Sequence, residues 1–174
     1  MKPGLIHLYY GNGKGKTTAA MGLCLRAAGN GKQVTVLQFL KDGTSSELNV
    51  LRNLPNVTVL SAPTEGFTFQ MNDEQRERTR ASSRALFQEA VESAFLGGCD
   101  VLLLDEACLA VKGGFLDSTL LEHFLRAKPE GLELILTGRS PADFMLECAD
   151  YVTEMVCRKH PYQRGVSARP GIEY

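Results

Sequence analysis

Leu5-Ile6-His7-Leu8-Tyr9-Tyr10-Gly11-Asn12-Gly13-Lys14-Gly15-Lys16-Thr17-Thr18 decides how the rest of the chain is read. An apolar run with strand character ends in three glycines alternating with polar residues, and a helix-forming stretch follows, so the segment predicts strand, tight loop and helix in succession. Glycine lets backbone N–H groups turn toward a common centre, and the start of a helix adds unpaired donors and the positive end of its dipole. Such a loop holds phosphate. Gly11, Asn12, Gly13, Lys14, Gly15, Lys16, Thr17 and Thr18 are therefore the candidate nucleotide-binding set, with Lys16 as a point charge for phosphate oxygens and the Thr17 hydroxyl as a candidate ligand for magnesium. For Lys14, an exposed side chain and a phosphate contact are equally open. The loop also departs from the general G-x-x-x-x-G-K-[ST] pattern, because Tyr10 stands where the first glycine belongs. With Gly11 in that part the loop is one residue short, which is read as an altered phosphate geometry.

Outward from this loop, short apolar runs recur at residues 5–10, 33–39, 57–60, 101–104, 132–137 and 151–155, bounded by glycine or polar clusters. They read as buried strands. Helix-like stretches fall between them at 17–30, 46–53, 73–96, 117–126 and 141–147. That alternation builds a mostly parallel sheet with helices on both faces, and with the loop at its first strand it predicts an α/β fold of the P-loop NTPase, RecA-like kind. Asn72 and Asp73 are candidate caps of the longest helix, Leu86, Ala90, Val91, Ala94 and Phe95 its apolar stripe, and Glu74, Arg76, Glu77, Arg78 and Arg80 its solvated side. Gly97-Gly98 is expected to stop it, and Ser140 before Pro141 to open the last helix. Residues 41–45, 61–72 and 159–174 are left as loops. With no repeat or linker in view, residues 1–174 are expected to form a single domain whose loops carry the function.

Composition narrows the partners. A formal net charge of -1 and a pI near 6.3 give little attraction to nucleic acid or an anionic membrane, which favours small molecules. Cys24, Cys99, Cys108, Cys148 and Cys157 are odd in number and never form C-x-x-C. They point away from disulfides or a zinc knuckle and toward small buried residues in a reducing compartment. The first strand leaves no room for a secretory leader and no apolar run reaches the length of a membrane span, so a cytoplasmic protein is expected.

The second element with chemical content is Val101-Leu102-Leu103-Leu104-Asp105-Glu106, an apolar run ending in two carboxylates. Ligands gather at the carboxyl ends of parallel strands, so both acids are expected to face the loop and its magnesium. A carboxylate left unpaired there would cost on the order of several kcal/mol, and the metal is the expected partner. A helix cap or a salt bridge explains one such acid better than two. At this point a kinase, an ATPase or a nucleotide switch all remain open.

The remaining motifs are Leu37-Gln38-Phe39-Leu40-Lys41, Glu65-Gly66-Phe67-Thr68-Phe69, Leu104-Asp105-Glu106, Leu136-Thr137-Gly138-Arg139, His160-Pro161-Tyr162 and Ala168-Arg169-Pro170-Gly171-Ile172-Glu173-Tyr174. In this order, and with the compact loop at 11–18, the sequence resembles the P-loop ATP:corrinoid adenosyltransferases nearly end to end. The resemblance implies an alkyl transfer in which the cobalt(I) of a reduced corrinoid such as cobalamin attacks the 5′ carbon of ATP and expels triphosphate. It fits the lack of a Ser-His-Asp arrangement or an activated thiol, since the metal is itself the nucleophile and the protein has to position it and stabilise the leaving group. Lys16, the loop amides and magnesium at Thr17 suit that task, and Glu106 matches the family's acid near the metal.

The same resemblance implies that ATP lies in the reverse sense to most P-loop proteins, with its ribose toward the corrinoid. Phe67 and Phe69 fall where the family places aromatic residues that displace the lower cobalt ligand. Phe69 stands where tryptophan is common, so it keeps an apolar wedge without the indole N–H. Arg139 is a candidate for a phosphate or ribose contact, and Gln38 and Lys41 for lining the same edge, although a structural hydrogen bond or a solvated charge explains each equally well. His160 reads as a loop hydrogen-bonding residue, and His7 and His123 lack any ligand constellation. A homodimer and an electron-donating flavoprotein partner are implied as well. Some relatives carry a longer leading segment over the corrinoid, so a cover here must come from elsewhere or the site is more open. A small-molecule kinase or ATPase, or a non-catalytic ATP-dependent carrier, would rest on the loop and the acids alone.

Overall fold

The chain alternates strand and helix as β1 (Ile6–Tyr10), α1 (Lys16–Gly29), β2 (Val34–Gln38), α2 (Ser46–Leu51), β3 (Val57–Ser61), α3 (Asp73–Phe95), β4 (Val101–Asp105), α4 (Ala107–Lys112), α5 (Ser118–Ala127), β5 (Glu133–Gly138), α6 (Asp143–Cys148) and β6 (Tyr151–Glu154). The structure is a computed structural model that describes residues 3–41, 43–61, 66, 68 and 70–173. The strands form one sheet in the order β3-β2-β4-β5-β1-β6. All of its ladders are parallel, where the sequence predicted a mostly parallel sheet. Parallel strands need crossovers, and each of these passes over a sheet face.

Alternation along the strands divides the core in two. Ile6, Leu8, Leu37, Leu102, Leu104, Leu134 and Leu136 pack with Phe87 and Ala90 of α3, Ala107 of α4, Phe124 of α5 and Met145 of α6. Val34, Val36, Val101, Leu103 and Ile135 lie on the other side, under Ala20, Met21 and Cys24 of α1 and Leu48 and Leu51 of α2. Coverage of both faces is why the central strands read as unbroken apolar runs. The register then matters for function. Gln38 pairs with Asp105 and Tyr10 with Gly138, so the carboxyl ends of β2, β4, β5 and β1 open side by side.

The ends of α3 follow local chemistry. Asn72 caps α3 in a capping box with Gln75, both bonds being 2.9 Å. Gly97, at φ 76, takes the left-handed turn just beyond its end. The expectation for Ser140-Pro141 is corrected: α6 begins at Asp143 with Ala142 as its extended N-cap, two residues later than the proline signal suggested. Helix α4 was absent from the sequence reading. It is only six residues long and starts from a left-handed Glu106, which no cap preference announces. Two side chains of α3 also differ from expectation. Arg76 is half-buried, donating to the carbonyls of Thr68 and Gly113 with its guanidinium 4.9 Å from the Phe115 ring. Phe95 is exposed, and Phe87 occupies the core instead. Cys24, Cys99 and Cys108 are buried as expected, whereas Cys148 and Cys157 are only half-buried. Among the described residues no helix is long and apolar enough to cross a membrane.

Candidate functional site

Gly11 and Gly15 sit at φ 109 and 107, a region that L side chains rarely adopt. A Cβ on Gly11 or Gly13 would lie 2.5 or 2.6 Å from the carbonyl oxygen of Met155. Two of the loop's glycines are thus demanded by the close pass of the chain after β6. The Gly13 N–H donates to that Met155 oxygen at 2.6 Å, and Asn12 Oδ1 accepts from the Cys157 N–H at 2.9 Å. The Gly13 N–H is thus engaged by the chain after β6. Gly15 is the N-cap of α1 and supplies no side-chain cap, which leaves the first-turn N–H groups of Lys16, Thr17 and Thr18 without helical partners. Unpaired donors at a helix start suit an anion. Lys14 donates to the Ile172 carbonyl at 3.2 Å, tying the loop to the carboxyl-terminal segment.

Lys16 donates to the Gly13 carbonyl at 2.8 Å. Burial lowers its pKa, opposed chiefly by Glu106 and reinforced by Arg139 and Lys41. An ammonium held this way gains from any polyanion that joins it. Arg139 follows Gly138, where a Cβ would come within 2.4 Å of the Cys108 Cβ. That tight packing of β5 against α4 brings Arg139 close enough to act on both Lys16 and Glu106.

Asp105 is fully buried and accepts four hydrogen bonds. Thr137 Oγ1 and Thr17 Oγ1 donate to its Oδ1 at 2.7 and 2.9 Å, and Lys41 Nζ and Gln38 Nε2 donate to its Oδ2 at 2.7 and 3.0 Å. Burial alone would raise its pKa, but the Lys41 charge and the bonds from Lys41, Thr137 and Gln38 outweigh it and hold the carboxyl below the ordinary value. Glu106 differs. It takes φ 60, and its N–H donates to Thr137 Oγ1 at 2.9 Å. Burial pushes its carboxyl up, opposed first by Lys41, with Asp105 adding to the rise. The expectation that both acids need a metal is corrected for Asp105, whose partners are side chains of the protein.

Lys16, Thr17, Gln38, Lys41, Asp105, Glu106 and Arg139 thus gather at one end of the sheet, as the sequence suggested. Phe67 and Phe69 lie outside the described residues. His160 Nδ1 accepts from the Tyr162 N–H at 3.2 Å, the loop role expected of it. His7 pairs with Glu133 and stacks on Tyr151, away from this site. Sequence reasoning missed Thr137, which bridges the two acids, and Met155, which clamps the loop. Thr137 stood within the Leu136-Thr137-Gly138-Arg139 motif with no role assigned to it. Beside the loop lies a cavity of about 1090 Å³, bordered by Thr17, Thr18, Lys41, Val50, Leu109 and Ile172. No group of three or more His, Cys, Asp or Glu is assembled for a metal among the described residues.

Comparison with known proteins agrees with this geometry. Residues 2–174 match the family described as ATP:corrinoid adenosyltransferase BtuR/CobO/CobP. A corrinoid adenosyltransferase of Escherichia coli strain K12 is 38% identical over 98% of this chain and 86% of its own length. That of Pseudomonas aeruginosa is 34% identical over 98% of this chain and 84% of its own. Among solved structures, the EssC protein (ATPases 2 and 3) of Geobacillus thermodenitrificans superposes with a TM-score of 0.53 at 16% identity, covering 97% of this chain and 35% of that one. This last likeness is of fold alone. The match along the whole chain, with the phosphate loop and paired acids at one sheet end, establishes that the chain belongs to the ATP:corrinoid adenosyltransferase family.

Proposed function

We propose that this chain transfers the 5′-deoxyadenosyl group of ATP to the cobalt(I) of a reduced corrinoid and releases triphosphate, acting in the cytoplasm in adenosylcobalamin synthesis or salvage. Membership of the family over residues 2–174 is the observation that carries this reading. The cavity beside Thr17 and Thr18, at about 1090 Å³, exceeds the range of about 300–1,000 Å³ typical of small-ligand pockets, which supports room for a second substrate next to the nucleotide.

In this reaction the electron pair on cobalt(I) forms the bond to C5′, the C5′–O bond breaks, and its electrons leave with triphosphate. No protein nucleophile is required. The tasks left to the chain are positioning and charge stabilisation. The first-turn amides of α1 and Lys16 hold the leaving phosphates, and Arg139 adds a phosphate or ribose contact. Thr17 and Glu106 would hold magnesium. Hydroxyl and carboxylate oxygens suit that hard cation, and the Lys41 ammonium already bonded to Thr17 Oγ1 and Asp105 Oδ2 supports a cation position beside them. When bound, the ion neutralises phosphate charge. Phe67 and Phe69 are assigned to displacing the lower cobalt ligand, with a flavoprotein as electron donor and a homodimer as the assembly.

Incubation with ATP, magnesium and chemically reduced cobalamin should give adenosylcobalamin and triphosphate. ADP and phosphate as the only nucleotide products would replace this reading with a kinase or ATPase.

A further inference from the structure

We propose that Lys41 is a displaceable counter-cation of the magnesium position, so that the divalent ion is admitted together with the triphosphate and disfavoured without it. The inference rests on the magnesium reading above. Its ground is that one cation already contacts an oxygen a second would need. Lys41 Nζ lies 2.7 Å from Asp105 Oδ2 and 3.3 Å from Thr17 Oγ1. The Thr17 hydroxyl has a single proton, given to Asp105 Oδ1 at 2.9 Å, so what faces Lys41 is a lone pair. Magnesium ligated by that oxygen requires the lone pair at about 2.1 Å. The ion and the Lys41 ammonium would then crowd one hydroxyl oxygen, and two cations at such separation repel.

Two further features belong to the same device. Leu40, immediately before Lys41, has φ 55, and the other non-glycine residue with positive φ among those described is Glu106. A leucine in the left-handed region is strained, and here the strain directs the next side chain inward. Gln38 donates to Asp105 through Nε2, yet its Oε1 is buried without a hydrogen-bond partner among the described residues. That acceptor fits a donor such as a water of the ion's shell. Lys41 has somewhere to go. Its side chain is 29% exposed, it borders the large cavity beside Thr17 and Thr18, and its flexible stem can turn out to a polyphosphate without moving the sheet.

Exchange of this kind couples metal and nucleotide binding. A triphosphate gives the displaced ammonium a new partner, while a bare divalent ion leaves it with none. The test uses Mn²⁺ as probe with the full chain, followed by electron paramagnetic resonance. Without nucleotide, both Lys41→Gln and Lys41→Met are expected to bind Mn²⁺ about tenfold or more tightly than the unaltered chain, the size of an ordinary coupling between sites. Lys41→Gln keeps a donor for Asp105, so it decides the matter should Lys41→Met fail to fold. Equal or weaker Mn²⁺ affinity in the folded Lys41 variants overturns the exchange. A second arm records the spectrum of Mn²⁺ with ATP on the protein, before and after Thr17→Val. A spectrum indifferent to Thr17→Val defeats the magnesium reading and this proposal with it, whereas a sensitive spectrum with unchanged affinity in the Lys41 variants defeats the exchange alone.

Discussion

At the amino end of the sheet, Lys128 donates to the carbonyls of Gly4 and Leu132 at 2.7 and 2.9 Å. There too Asp150 accepts from the Ile6 N–H and Asp100 from the Gln33 N–H, each at 2.8 Å. At the carboxyl end, Lys41, Gln38, Thr17 and Thr137 all converge on one buried carboxylate, Asp105. The first arrangement closes backbone groups one at a time where strands begin. The second sets side chains against each other in a dry place and holds Leu40 and Glu106 at positive φ, a strain of about 1–2 kcal/mol for each such residue. Charge at one end closes backbone groups, and charge at the other is gathered beside the loop that opens α1. Substitutions at the two ends should therefore fail in different ways.

The largest effect is expected at Lys16. Its one hydrogen bond among the described residues is to the Gly13 carbonyl, so Lys16→Ala should cost less than about 1.5 kcal/mol in urea unfolding. Adenosyl transfer should fall by about 10²–10³, the loss typical of one donor aimed at developing charge. Unchanged turnover would remove the distinction between the two ends at its strongest point.

Asp105→Asn comes next, in stability. Breaking a buried, multiply bonded charge pair costs about 3 kcal/mol or more. The folded pKa of Asp105 is held below the ordinary value. Its contribution is therefore complete above the unfolded carboxylate pKa of about 3.9 and is lost as pH falls through the folded value. The gap between the two proteins in urea titrations should narrow below about pH 4. Glu106 carries the opposite sign. Its folded pKa is raised, so what it contributes is present below the unfolded pKa of about 4.3 and is lost as pH rises through the folded value. Glu106→Gln should leave stability at neutral pH equal or higher. Destabilisation by both substitutions would show that the neighbouring acids are held alike.

The sequence made one half of this contrast legible. Strand runs, the loop and the acids at 105 and 106 come from periodicity and spacing, which act over a few residues and survive translation into structure. The partner of Asp105 did not emerge, because it is set by register. Gln38 faces Asp105 across a ladder, and Lys41 reaches the same oxygen through a left-handed Leu40 that no propensity predicts. The bonds of Asn12 and Gly13 to the chain after β6, more than 140 residues away in sequence, are likewise invisible to a reading of the loop alone. Ser140-Pro141 failed for a local reason: the signal was real but the helix began after Ala142.

At the amino end, Lys128→Met should cost about 1–2 kcal/mol, since a charged donor serving two carbonyls is lost. Turnover should not change. A loss of adenosyl transfer greater than the loss of folded protein would mean that this end also bears on the site.

Asp100 and Lys32 provide the finest division of that end. Asp100→Ala removes the acceptor for the Gln33 N–H and should cost about 1 kcal/mol. Lys32 Nζ lies 3.8 Å from Asp100 Oδ1, with side chains 53% and 44% exposed, so water and salt already screen the pair. Lys32→Ala should shift unfolding by less than about 0.5 kcal/mol and should do so less at high salt than at low. The bond from Gln33 persists without the lysine, which is why the acid outweighs its partner here. Were Lys32→Ala to cost as much as Asp105→Asn at any ionic strength, a half-exposed pair would be held as firmly as a buried one, and burial could no longer explain why the two ends of the sheet differ.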